Sequence, residues 1–475
     1  MPFNSLAFIL FFGCVFVVHS LPLPWRARKC NLLVASYLFY ASWNPWFVLL
    51  LLSVTVSNWL AATWIHRWDA FPRARRFVLW HCVALNLGVL VVFKYGNELL
   101  AAWDWLAPHL HAGRASRREI WLPVGLSFFT FQALSYTIDV YRRTIRPATS
   151  ALDFALFVSF FPVLLAGPLL RAGQFLPQCA SSRRASSEEM GLGGALITLG
   201  LFLKVVLADH LLAPVVQRVF ASHVQPDALS AWAGTIAFAG QDYCDFAGYS
   251  IIAMGLGLCL GFLLPENFRA PFASLGFRDL WQRWHITLVA WMRDYVFNSL
   301  GGVYKGYRRA ALNVLVVFVL IGLWHGAAWT YLIFGLLHGT YLIVETLLQR
   351  SAIRRQRIWS SAPGSLMIWL ATMFLCCVAF VFYRTTDLDH AWRLLRAMFG
   401  SGRALHPFRL SDFDLLSTLV VMEALIVAHW LCRKRTLRDI ASRASWYAIA
   451  VVLAGMLLAI VLSRGPSQSF LYFYY

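Results

Sequence analysis

The feature that most limits how this chain can fold is a succession of apolar runs, each followed by a short, arginine-bearing stretch. The runs lie near 5–22, 31–64, 76–95, 120–139, 151–170, 190–220, 230–264, 310–349, 364–384, 412–432 and 445–463, and 31–64 and 310–349 are each long enough for two spans. About 20 apolar residues cross a hydrocarbon core as a helix. With no water there to satisfy the backbone, only helices or a closed barrel can span it. Barrel strands are segments of about 10 residues with alternating hydrophobicity, whereas these runs are longer and continuous. The expectation is an all-α, polytopic integral membrane protein with roughly eleven to thirteen transmembrane or re-entrant helices, in one membrane domain covering 1–475. Composition agrees: 60% of residues are hydrophobic and 13% charged, against about 45–50% and about 25% in soluble domains.

The formal charge of +19 would suggest nucleic acid in a soluble protein. Here the basic residues fall between apolar runs, in PWRARKC (24–30), RWDAFPRARRF (67–77), YRRTIRP (141–147), RRQR (354–357) and CRKRTLRDIASR (432–443). That placement reads as positive-inside bias with contact to anionic headgroups, and excludes a nucleic-acid partner. A basic cytosolic face also attracts a polyanionic donor such as coenzyme A. The nine cysteines are dispersed, with no C-x-x-C, and Cys376–Cys377 read as lipid-facing or core residues. The first apolar run has no positive charge before it and three arginines and lysines soon after. It is expected to be an uncleaved first span with its N-terminus outside. The Ser-rich stretch 173–190 reads as a polar linker.

Polar groups among membrane helices are costly and default to functional hypotheses. Four clusters stand out. LPVGLSFFTFQALSYTIDVYRR (122–143) carries Gln132, Ser135, Tyr136 and Asp139. FFPVLLAGPLLRAGQF (160–175) is broken by Pro162, Gly167 and Pro168, with Arg171 following. GQDYCDFAGYS (240–250) holds Asp245, Tyr249 and Ser250. The fourth, GFRDLWQRWHITLVAWMRDYVFNSL (276–300), has aromatic and aliphatic residues at helical steps from Phe277 to Tyr295, an amphipathic stripe. Arg278, Gln282 and His285 fall on another face, and Asp279 is spaced to pair with Arg283. This segment is too charged to span lipid alone, and either lies at the interface or dips into the protein.

The fourth cluster leads into GLWHGAAWTYLIFGLLHG (322–339), where His325 and His338 sit in matching glycine frames. On one straight helix, a separation of 13 residues is about 220° of rotation, so the two could not serve one chamber. Glycines flanking each histidine let another helix approach closely, and Trp324 can shield His325 from lipid. A buried neutral imidazole has the right range for a general base. Periodicity does not choose between the two.

The motifs taken together resemble the membrane-bound O-acyltransferases. The likeness is carried by LPVGLSFFTFQALSYTIDVYR, FFPVLLAGPLLR, KVVLAD, QDYCDFAGYS, RDLWQRWHITLVAWMRDYVFNSLGG, GLWHGAAWT with GLLHG, and VFYR (381–384), in that order. It runs from FKY (93–95) to the terminal FLYFYY, with the core motifs over about 90–400. The bacterial branch that acetylates alginate is the nearer likeness, and the branch that D-alanylates lipoteichoic acid the more distant. The resemblance implies a ring of helices around a central funnel, and assigns the reacting histidine to W-H-G, here His325. It maps a second histidine, from R-W-H, to His285, which would orient a substrate or donate to the carbonyl oxygen. His338 becomes structural support. Arg293 and Asp294 match W-x-R-D-Y. With Trp324, Asp245, Tyr249, Ser250, Gln132 and Arg171, they form the candidate substrate-binding set. After GYS the family often has an acid, where this chain has Ile251.

The implied reaction moves an acetyl group from a cytosolic thioester, acetyl-coenzyme A, across the membrane to an extracytoplasmic polysaccharide, alginate-like or another exopolysaccharide. It needs a base, oxyanion donors and a dry site, and no tightly bound cofactor or metal. Expected partners are a periplasmic or membrane-anchored transfer protein, the polysaccharide and the bilayer, and the expected location is the bacterial inner membrane with the N-terminus periplasmic. The same chemistry on peptidoglycan, cellulose, teichoic acid or lipid is an alternative, and a non-catalytic transporter or scaffold is another.

Overall fold

A computed structural model describes residues 1–110, 120–351, 357–401 and 407–463. Most of RRQR (354–357) and all of FLYFYY (470–475) lie outside these residues. Helices α1 (Leu6–Ser20), α2 (Trp25–Ala41), α3 (Phe47–Arg67), α4 (Pro72–Leu106) and α5 (Leu126–Tyr141) follow the apolar runs closely. Then come α6 (Ala151–Ser159), α7 (Phe161–Leu164), α8 (Ala172–Ala180) and α9 (Ser187–Leu201). The last continues through a π-helical stretch, Phe202–Leu212, into α10 (Ala213–Val219). Long α11 (Ala228–Cys259) precedes the short α12 (Phe277–Trp281) and α13 (Ile286–Met292), the latter running into a π turn at Arg293–Phe297. The chain ends in α14 (Tyr307–His325), α15 (Trp329–Arg350), α16 (Ala362–Arg384), α17 (Leu388–Met398), α18 (Asp412–Cys432), α19 (Leu437–Arg443) and α20 (Trp446–Leu462).

Among the described residues, seven helical segments are long and apolar enough to cross a membrane: Phe47–Arg67, Pro72–Leu110, Ser187–Val219, Tyr307–His325, Trp329–Arg350, Ala362–Arg384 and Asp412–Cys432. The protein is an all-α, polytopic membrane protein. Its chain packs as two compact units, one of Met1–Met190 with Leu256–Leu264, the other of Gly191–Gly255 with Pro265–Tyr475.

In the first unit a polar knot ties three helices. Asn58 on α3 donates to Asn86 of α4 at 3.1 Å and accepts from Thr137 of α5 at 2.9 Å, all three buried. Inter-helix hydrogen bonds of this kind hold helices together where burial of apolar surface gives little drive. The expected crossing at 151–170 is instead broken: the helix stops at Ser159, and Gly167 takes a φ of 102°. Prolines 162 and 168 explain the interruption, since each lacks the N–H a helix interior needs. The stretch read as a polar linker folds partly as α8. The basic PWRARKC segment is no loop either. It opens α2, with Arg28 and Lys29 buried, Lys29 paired to Asp153 and Arg28 donating to the His19 carbonyl at 2.7 Å.

In the second unit α14 and α15 form a hairpin across Gly326–Ala328. A Cβ on Gly322 would collide with the Tyr331 carbonyl oxygen, and one on Gly335 with that of Phe318. The glycine frames therefore serve close backbone approach, as their spacing implied. The helix ends at Gly326, whose extended backbone lies against the Tyr331 ring, 2.5 Å from where a Cβ would stand. Stretch 322–339 is thus two helices rather than one. The 276–300 stripe also breaks. Residues 282–285 leave the helix, and His285 has a φ of 44°, a conformation rare outside glycine.

Candidate active site

Both helix breaks bring histidines together. A cavity of about 330 Å³ in the second unit is lined by His285, His325 and His338, with Asp242, Tyr383 and mostly aromatic or aliphatic side chains completing its wall. The opposed directions expected for His325 and His338 apply only to a straight helix. The turn at Gly326–Ala328 lets both face one chamber.

His325 ends α14 and is 6% exposed. Its Nδ1 lies 3.2 Å from the Tyr383 hydroxyl. Rings of Trp324, Phe334 and Tyr383 enclose it, with centroids at 4.8, 6.0 and 4.8 Å. When Nδ1–H donates to the tyrosine oxygen, Nε2 keeps the lone pair of a general base. Tyr383 comes from VFYR, and only its place in that motif marks it in the sequence.

His285 is held from the other side. Its Nδ1–H donates to Asn267 Oδ1 at 3.2 Å, an oxygen that also accepts from Thr287 Oγ1 at 2.8 Å. Asn267 Nδ2 in turn donates to Ser250 Oγ at 3.3 Å. Fixed this way, a neutral His285 has a lone pair at Nε2 and no hydrogen there. In that tautomer it can accept a hydrogen bond from a substrate hydroxyl, the orienting role of the two expected of it. Nor does it share a face with Arg278 and Gln282: both are exposed, and His285 is 2% exposed. Asn267 is not legible as a site residue, since it lies in the loop PENF between helices.

Trp324 packs edge-on between the two, its ring centroid 5.8 Å from His285 and 4.8 Å from His325. It spaces the histidines from within the protein. His338 sits among Trp281, Phe334 and Phe277 at 5.0, 4.7 and 6.0 Å, and its Nδ1 has no hydrogen-bond partner.

The other expected residues divide. Ser250 supports His285 through Asn267. Asp245 is 1% exposed and is not among the chamber-lining residues; it is bound with Asp209 by the buried Lys204, which reaches Asp209 at 2.9 Å. Lys204 opens the KVVLAD motif, and the π-helical stretch it lies in sets its position. Tyr249 is buried and is not among the chamber-lining residues. Arg293 and Asp294 pair with each other at 2.8 Å, and Arg293 lines a separate cavity of about 340 Å³ with Arg278, Tyr307 and Arg350. Gln132 and Arg171 belong to the first unit. There, Gln132 donates to the Phe157 carbonyl at 3.1 Å and Arg171 precedes α8. Cys376 and Cys377 line the chamber.

Beside the chamber is a polar cleft of about 200 Å³ bearing Arg269, Arg283, Arg433, Lys434 and Arg435 around Asp279. Trp281 faces the chamber and the next residue, Gln282, faces this cleft. Asp279 pairs with Arg283 at 2.7 Å, as the i,i+4 spacing predicts, and with Arg433 at 2.8 Å. Burial alone would raise its carboxyl, but the Leu275 N–H and the two guanidiniums outweigh it and hold it below the ordinary carboxylate range.

Fold and site together define a helical membrane protein that keeps imidazoles in an enclosed, largely apolar chamber. The membrane-bound O-acyltransferase profile matches residues 89–385. The chain is 36% identical over 420 residues to the "Probable alginate O-acetylase AlgI" of Azotobacter vinelandii, covering 87% of this chain and 80% of the relative. It is 37% identical over 404 residues to the protein of the same description from Pseudomonas aeruginosa, covering 85% and 75%. With the "Peptidoglycan O-acetyltransferase" of Helicobacter pylori it shares 32% identity over 398 residues, covering 78% and 74%. This chain belongs to the membrane-bound O-acyltransferase family and is an O-acyltransferase.

Proposed function

We propose that the protein transfers acetyl groups from acetyl-coenzyme A at the cytosolic face to hydroxyls of an extracytoplasmic exopolysaccharide, alginate or a polymer like it. The observation that carries the chemistry is His325, enclosed in the chamber with its Nδ1 against Tyr383. The acceptor hydroxyl gives its proton to His325 Nε2 as its oxygen attacks the thioester carbonyl carbon. The resulting oxyanion collapses, the C–S bond breaks, and the imidazolium returns the proton to the leaving thiolate. The products are an O-acetyl ester and a free thiol. His285, with its lone pair at Nε2, orients the acceptor hydroxyl by accepting from a neighbouring one. A nearly apolar wall suppresses competing attack by water.

The five cationic side chains of the cleft beside Trp281 suit the phosphates of coenzyme A. The polysaccharide acceptor rests on the alginate-acetylating relatives. A periplasmic or membrane-anchored partner protein assists transfer to the polymer, the membrane is the bacterial inner one, and the N-terminus is periplasmic. The Helicobacter pylori relative supports peptidoglycan as the second acceptor.

The test is His325→Ala in the intact protein, with folding checked in detergent. Acetyl-coenzyme A turnover should fall by about 10²–10⁴-fold, the usual worth of a general base, and surface-polymer acetyl esters should disappear. Unchanged esterification sinks the assignment. Analysing which polymer loses its esters separates exopolysaccharide from peptidoglycan.

A further inference from the structure

One carboxyl in the chamber has no task in the mechanism above. Phe238, Asp242 and Phe246 stand at i, i+4 and i+8 on α11, and so share one face. Phe238 packs on Tyr383 with centroids 5.8 Å apart, and Tyr383 holds His325. Phe246 packs on His285 at 4.7 Å. Asp242 therefore leaves the helix between the supports of the two histidines, and it lines the chamber. It is 3% exposed and its Oδ1 has no hydrogen-bond partner. Among the described residues no cation pairs with it, whereas Asp245, three residues on, is bound by Lys204. A buried carboxyl oxygen left without a hydrogen bond costs stability, so it suits a ligand group that enters the chamber.

The unpartnered Oδ1 is an acceptor in either protonation state, so the group that suits it is a hydrogen-bond donor. An acetyl thioester has none at its reacting end. In a pantetheine-type arm the first is an amide N–H, four covalent bonds beyond the carbonyl carbon, a reach of about one helical turn, roughly 5.4 Å. The step along α11 from Phe238, beside the His325–Tyr383 pair, to Asp242 is four residues, about 6 Å, close to that reach. We propose that Asp242 accepts a hydrogen bond from this first amide N–H and so selects thioesters that carry it. The inference rests on the thioester reading given above.

Full-length protein in detergent, as wild type, Asp242→Leu and Asp242→Asn, would be tested with two small thioesters. One is S-acetyl-N-acetylcysteamine, which has the amide. The other is S-acetyl-pentanethiol, which replaces it with methylenes. Binding of the matching non-reactive thioethers, followed by quenching of tryptophan fluorescence, gives a readout independent of turnover. Asp242→Leu should weaken binding of the amide-bearing probe and raise its KM by about three- to tenfold, the worth of one hydrogen bond. The effect should fall on KM more than kcat, and the alkyl probe should bind as well as or better than in wild type. Asp242→Asn, which keeps an acceptor oxygen, should restore much of the preference. Equal shifts for both probes, or wild-type discrimination in Asp242→Leu, would overturn the proposal. Discrimination in binding without any turnover would instead refute the acetyl-transfer reading and leave this one standing.

Discussion

At the scale of single residues, the site depends on groups that hold the imidazoles as much as on the imidazoles. Tyr383→Phe removes the hydroxyl at His325 Nδ1 while keeping the ring packing. We expect kcat to drop by about tenfold with KM little changed, and the acid limb of the pH–rate profile, which reports protonation of the base, to be retained. Equal kcat in the two proteins would show that Tyr383 does not orient the base. Lys204 is a second test. Its removal as Lys204→Met strands Asp209 and Asp245 in the interior, and loss of one partner of a buried ion pair costs about 3–5 kcal/mol. A thermal-melting curve in detergent should show a clear drop, or no folded protein, while Asp209→Asn in the same background recovers part of it. His325 and His285 were legible because short motifs carry them. Asn267 was not, because an asparagine in a loop looks like any turn residue until its partners are known.

At the scale of elements, hydropathy located nearly every helix, and the residues that interrupt helices decide which histidines line one chamber. Gly326 and His285 were invisible as breaks: a glycine in an apolar run is compatible with a continuing helix, and a positive φ at histidine has no sequence signature. The glycine frames were legible as sites of close approach. Gly335→Ala places a methyl against the Phe318 carbonyl, and backbone cannot yield as a side chain tip can. We expect a loss of about 1–3 kcal/mol, the usual cost of overpacking, and a parallel loss of activity as His338 and His325 separate. A Gly335→Ala protein with wild-type melting and turnover would show that the α14–α15 contact is looser than its geometry indicates. Gly191→Ala, with open space around its Cβ position, is the matched control.

At the scale of the whole molecule, the membrane character and the family were legible from run lengths and motif order, and the division into two packed units was not. Composition does not change where the packing does, and the second unit takes its pieces from both sides of Leu256–Leu264. Acid sensitivity belongs to this scale, because Asp279 links α12 to Arg433 at the end of α18. Its carboxyl is held below the ordinary value when folded, so its contribution is complete above the unfolded pKa of about 3.9 and is lost as pH falls through the lower folded value. Asp279→Asn should therefore melt earlier than wild type at neutral pH. The gap should narrow below about pH 4, as read by thermal unfolding at a series of pH values. A gap that stays constant with pH would show that the carboxylate charge contributes nothing.

The chamber wall is drawn from α11, the α12–α13 region, the α14–α15 hairpin, α16 and finally Met422 and Ile426 of α18. During synthesis the histidines leave the ribosome well before the last wall does. A nascent chain thus holds its imidazoles in a half-built enclosure, open to lipid or water on the side α18 will close. A chain stalled short of α18 would carry His285, His325 and His338 without the part of the wall that Met422 and Ile426 supply.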